Sequence, residues 1–250
     1  MHTPRVKFTN IPLSQEIDWI YGFLFQNDWG WGKYIIKKHP ELKKIYILKT
    51  EEKRISFLKK YIVKFKKENK KIIEKNKIKY QKEWQKIEKD FFITLSQITQ
   101  TDWPKNKTIK AMISINPICP RFLNNWSFSI FFNFKKKSHA IETIMHECCH
   151  FLYFEKWKKL YPKMNHKKFE SPYIEWHLSE LAAPIILNDK RIQKLLKQKA
   201  EFYEEHKKIK IKDKTAPQYF TYLYKKNKNF KEFLNISYQI IKINKKLFDL

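Results

Sequence analysis

The segment IETIMHECCHFLYFEKW, residues 141–157, carries two histidines four positions apart, His146 and His150, with Glu147 after the first and Cys148 and Cys149 between. On a helix this spacing puts both imidazoles on one face, one turn apart. Two nitrogens so placed can address one metal ion, and Zn2+ accepts such donors in a tetrahedral shell. Glu147 then lies beside the position where a water would sit. A carboxylate there can take a proton from that water and return it to a leaving amine. Zinc draws the pKa of such a water toward neutrality. The chemistry this spacing allows is hydrolysis assisted by a general base at a zinc centre.

A helix must hold the segment. Ser138 is a suitable cap and Pro162 a stop, which predicts a helix running to about Tyr161. Ile141, Met145, Cys148 and Leu152 supply its apolar side. Ahead of it, TIKAMISI alternates, with Ile109, Ala111, Ile113 and Ile115 on one side. WSFSIFFNF alternates too, through Trp126, Phe128, Ile130, Phe132 and Phe134. Both read as strands. Downstream, SPYIEWHLSELAAPIIL reads as a second helix, capped by Ser171 with Pro172 in its first turn. Pro184 is expected to kink that helix or to stop it before a restart near Asn188 and Asp189, either of which leaves Glu180 near a helix end.

A metal site needs a third ligand, and the second helix offers Glu175, His177 and Glu180. An acid from a helix packed beside the first would complete the shell and leave one position open for water and substrate. Cys148 points away from the histidine face and reads as a small core residue. Cys149 is placed to face either the rim of the cleft or a neighbouring helix.

Residues 108–187 resemble a zincin metallopeptidase of the gluzincin kind, through the HECCH helix behind a strand and the acid-bearing helix that follows. The resemblance implies a mainly helical α+β fold with a small sheet preceding the HExxH helix, a zinc cofactor and a peptide or protein substrate. WHLSELA, residues 176–182, is similar to the tryptophan-rich segment that carries the third ligand in one gluzincin branch, which implies Glu180. Another branch would imply Glu175; with Glu180 as ligand, Glu175 could instead hold a ligand histidine through its other ring nitrogen. SHAIETIMHECCHFLYF also resembles the SprT-like zincins, whose third ligand would fall at His166, but here that residue is flanked by Asn and Lys rather than by glycine. In zincins the substrate adds as a strand along the strand before the active helix, here SFSIFFNF. A further donor stabilises the oxyanion, with Tyr173, His177, His206, Tyr219, Tyr222 and Tyr224 as candidates.

The rest of the chain is read more coarsely. Residues 13–26 predict a short helix capped by Ser14, with Ile17, Ile20, Tyr21 and Leu24 on one face, and residues 27–42 predict a turn. Residues 50–99 carry two apolar stripes. Ile55, Leu58, Ile62 and Phe65 form one, and Trp84, Ile87, Phe91, Leu95 and Ile98 the other, with a bend at KKENKK. Two antiparallel helices would account for them. RIQKLLKQKAEFYEEHKK and NFKEFLNISYQIIKINKKLF read as further helices. The organisation expected is a helical region over 1–100 and a zincin-like catalytic region over 101–250, packed together as one unit.

The 250 residues carry a net charge of +28, nearly all from lysine spread along the chain. A charge of this size admits an anionic partner, so a basic nucleic-acid-binding protein with a structural or absent metal is the rival reading, and a protease recruited to nucleic acid combines the two. Three cysteines, two of them adjacent, make no disulfide framework. With no apolar run long enough for a membrane span, the expectation is a cytoplasmic protein.

Overall fold

The computed structural model describes residues 2–25, 30–227 and 229–248. The chain is α+β, with many helices and a small mixed sheet ahead of the HExxH segment. It divides into two compact units, each assembled from separate stretches. One comprises Arg5–Lys86 and Thr108–Ile144, the other Met1–Pro4, Ile87–Lys107 and Met145–Leu250. The position between residues 100 and 101 falls inside the second.

The first unit holds the sheet. β1 (Arg5–Asn10), β2 (Thr108–Ser114), β3 (Arg121–Phe122) and β4 (Ser127–Phe131) lie in the order β1-β2-β4-β3. β1 and β4 run parallel to β2, and β3 runs antiparallel to β4. β2 is central and buried at every residue from Ala111 to Ser114, so its run is apolar on both faces, as parallel strands require. The alternating residues Ile109, Ala111, Ile113 and Ile115 are all buried, as are Trp126, Phe128, Ile130 and Phe132. Phe134 is half-buried. The outer flank of β4 is already occupied. Arg121 and Phe122 pair with Phe128 and Ser127, and Ser129 N–H donates to Pro120 O at 2.9 Å. A substrate strand can therefore not add along Ser127–Ser129 unless residues 120–122 are displaced.

Among the described residues, five α-helices lie between β1 and β2 in sequence. α1 (Leu13–Phe25) starts ahead of Ser14, with Glu16 N–H donating to Pro12 O, so Ser14 lies inside the helix rather than capping it. The expected turn over 27–42 begins within residues 26–29, which lie outside the described residues. Gly30, in the left-handed region at φ 71, leads into α2 (Trp31–Lys38). A 3-10 stretch over Pro40–Ile47 follows. α3 (Glu51–Glu68) and α4 (Lys70–Gln85) meet at Asn69, within the KKENKK bend. Leu58 and Ile62 are buried, but Ile55 is exposed and takes no part in the first stripe. The second stripe does not belong to one helix. It breaks after Trp84, and α5 (Glu88–Thr99), in the second unit, carries Phe91, Leu95 and Ile98. Three helices therefore stand where two were expected, because an apolar spacing of three and four runs on unbroken across the break at Lys86–Ile87.

In the second unit, α6 (Lys137–Leu160) contributes the residues from Met145 onward. α7 (Ile174–Leu187) is buried at every position from Glu175 to Leu187. Tyr173, not Ser171, occupies its N-cap. A turn at 170–173, with Tyr173 N–H donating to Glu170 O, delays the first helical hydrogen bond to the Tyr173 carbonyl. The helix passes through Pro184 and ends at Leu187, so Glu180 is mid-helix rather than near an end. α8 (Lys190–Leu196) and α9 (Glu204–Lys208) divide the segment read as one helix, and a hairpin of β5 (Lys210–Ile211) and β6 (Lys214–Thr215) follows. α10 (Ala216–Lys226) and α11 (Phe230–Ile243) pack on α7.

The C-terminal end of β2 is tied by side chains from the helices of its own unit. Glu16 is fully buried. Its Oε1 accepts from Ser114 Oγ at 2.7 Å and from Ile115 N–H at 2.8 Å, and Lys66 pairs with Oε2. His39 lies 2.8 Å from Ile115 O through Nε2 and 2.8 Å from the Tyr61 hydroxyl through Nδ1. Burial pushes the His39 pKa down, so the neutral ring donates from Nε2 to Ile115 O and accepts from Tyr61. Both backbone groups of Ile115 are thereby satisfied where the strand ladder stops. Glu16→Ala leaves a buried N–H, a hydroxyl and Lys66 without their shared acceptor and is expected to cost about 3 kcal/mol, with Glu16→Gln costing less. Urea unfolding checks this, and a Glu16→Ala midpoint equal to that of the parent would refute the tie.

Candidate metal centre

α6 delivers the two histidines as its periodicity requires. Their rings are edge-to-face with centroids 4.7 Å apart. His150 is buried against Phe154, which in turn packs on Phe169, while His146 is half-buried. α7 presents Glu180 to them from the opposite side. Glu180 Oε2 lies 3.2 Å from His146 Nε2, and Oε1 lies 3.5 Å from His150 Nε2. One ligand atom from each of the three residues lies within 4.8 Å of the others. No other such group of three His, Cys, Asp or Glu occurs among the described residues.

The donor set fits a divalent ion. Donors bonded to zinc at about 2.0–2.1 Å in a tetrahedron stand roughly 3.3 Å apart, close to the 3.2 and 3.5 Å that separate the two Glu180 oxygens from one imidazole each. Glu180 is only 2% exposed, and a carboxylate so buried must be matched by charge or hydrogen bonds. Two histidines and one acid leave a tetrahedral shell one ligand short. Glu147 is buried next in sequence to His146.

The alternatives fall elsewhere. Glu175 is buried, and its Oε1 accepts from the Tyr238 hydroxyl at 3.2 Å, a partner on α11 that sequence spacing gave no means of finding. It stands five residues from Glu180, on a different face of α7, and lies outside the group of three. His166 is exposed, stacks on Phe169 and lies outside the group of three. Cys148 and Cys149 are buried and unbridged, burial pushes both thiols up, and neither joins the group. Cys149 thus takes the packing position rather than the cleft rim.

Among the oxyanion candidates, Tyr173 and Tyr222 are exposed and Tyr224 donates to Asp189 Oδ2 at 2.8 Å. Tyr219 is half-buried. His177 and His206 are both buried, and His206 Nε2 lies 3.5 Å from His177 Nδ1. His206 Nδ1 has no hydrogen-bond partner among the described residues. Burial first, then the neighbouring His177, holds the His206 pKa down to about 4, with the Glu180 charge opposing the shift. The sequence around His206, EEHKK, is charged on all sides and gives no hint of this burial.

Comparison with protein-family models, with curated proteins and with solved structures finds no match to any of them. The site therefore stands on its own geometry.

The His206 shift has a consequence for stability. A histidine whose folded pKa lies below its unfolded value makes its full contribution above pH 6.5 and loses it as the pH falls toward about 4, because the unfolded chain takes up the proton first. The loss amounts to roughly 3 kcal/mol over that window. Urea midpoints of the metal-free protein between pH 7 and pH 4.5 are expected to fall less steeply for His206→Gln than for the parent; parallel profiles would contradict the assigned neutrality.

Proposed function

We propose that the chain is a zinc-dependent peptidase of the gluzincin kind, with His146, His150 and Glu180 as metal ligands and Glu147 as general base. The observation that carries this reading is the convergence of a carboxylate from α7 on two histidines one turn apart on α6. A bound Zn2+ would supply a Lewis acid at the open position and bring the attacking water within reach of a carboxylate base near pH 7. Glu147 accepts the proton of that water and passes it to the departing amine. His206, neutral and buried, is the donor best suited to the developing oxyanion. Its Nδ1 is the side without a partner, and Nε2 can accept from His177 Nδ1–H. The unbridged cysteines support a reducing, cytoplasmic setting as part of the same reading.

The roles separate by substitution. Zinc in the purified protein is expected at one equivalent and to be retained by Glu147→Gln, while casein or peptide hydrolysis falls by about 100-fold or more. His150→Ala and Glu180→Ala are expected to lose the metal. A Glu147→Gln protein stripped of zinc beside a fully loaded Glu180→Ala protein would overturn the assignment.

A further inference from the structure

Within the first unit, α4 presents two faces of opposite character. Ile73, Tyr80 and Trp84, at spacings of seven and four, are buried. The opposite face carries Lys71, Lys75, Ile78, Lys79, Lys82 and Lys86, all exposed. The two acids of the helix flank this ridge and are already engaged. Glu74 binds Lys77 at 2.6 Å and Asn10 at 3.0 Å, and Glu83 binds Lys86 at 2.9 Å and Lys137 at 3.4 Å. Lys71, Lys75, Lys79 and Lys82 have no acidic partner among the described residues. Lysines three or four apart on a helix repel one another, so the ridge is a self-repelling row that an anionic surface would relieve.

The apolar residues on the same side indicate which anionic surface. Ile78 is 51% exposed in the middle of the ridge, and Ile72 is 39% exposed at its margin. α4 contains no arginine, and its two aromatics, Tyr80 and Trp84, are buried, so it offers neither the guanidinium fork nor the stacking faces that nucleic acid recognition favours. Aliphatic side chains among lysines match a bilayer surface, where the ammonium groups meet anionic headgroups and the aliphatic groups enter the acyl boundary. No helix among the described residues is long and apolar enough to cross a membrane, so the contact would be peripheral.

We propose that the outward face of α4 docks the protein on an anionic lipid bilayer, with Lys71, Lys75, Lys79 and Lys82 contacting headgroups and Ile78 inserting between them. The test is co-sedimentation of the full chain with phosphatidylcholine vesicles with and without phosphatidylserine, alongside a duplex and a single-stranded oligonucleotide. Binding is expected only with phosphatidylserine and to weaken with salt. Replacing the four lysines by glutamine is expected to reduce it on the order of 1000-fold, each lysine contributing one headgroup interaction. Ile78→Gln, which keeps the charge and the helix, is expected to reduce it about tenfold through lost insertion. Circular dichroism controls for folding of each variant. Failure to bind phosphatidylserine vesicles would overturn the proposal, as would equal binding to both vesicle types. So would an oligonucleotide affinity exceeding that for vesicles with Ile78→Gln binding vesicles like the parent.

Discussion

A carboxylate taken out of water must be matched by charge or hydrogen bonds, and that constraint organises both units. Glu16, Glu175 and Glu180 are each at most 2% exposed, and each is answered differently. Glu16 meets a lysine, a hydroxyl and a backbone N–H, a fully satisfied set that serves the end of a strand. Glu175 meets one tyrosine hydroxyl. Glu180 meets two imidazoles, groups that are neutral over much of the physiological pH range unless protonated. Of the three sets, only the last is built from side chains that all serve as metal ligands.

The parts of the fold that sequence reveals are those in which local spacing and packing agree. α6 and α7 are legible from the signals that bound them, Ser138 and Pro162 around the first and Pro172 ahead of the second. β2 and β4 are legible because one side of each alternates. β1 is not, since RVKFTN has only Val6 and Phe8 to signal a strand and its partner is far away in sequence. The break between α4 and α5 is hidden for the opposite reason, because Trp84, Ile87 and Phe91 keep a helical spacing across it. At the site, the histidine pair is legible from spacing alone. Which of Glu175 and Glu180 lies beside that pair is not, since it depends on which face of a wholly buried helix turns toward the histidines.

The large positive charge is not neutralised by the ion pairs the fold makes. Several join residues three apart on one helix, such as Lys77–Glu74, Lys158–Glu155 and Lys207–Glu204. Exposed pairs of this kind contribute little to stability. They engage acids within their own helix, and on α4 they leave Lys71, Lys75, Lys79 and Lys82 as a row without an acidic partner among the described residues. Composition sets the amount of charge, and helical geometry sets its pattern.

The order of strands carries a consequence for biosynthesis. β1 ends at Asn10 and its partner β2 begins at Thr108, so the strand leaves the ribosome long before the one it pairs with exists. At typical elongation rates the wait is roughly 5–20 s, far longer than helices need to form. During that interval Val6 and Phe8 are separated by Lys7 and preceded by Arg5, charges that discourage a waiting strand from joining another nascent chain. The sheet is thus completed late, after the intervening helices have been synthesised, and its edge is protected by the residues that obscured it in the sequence.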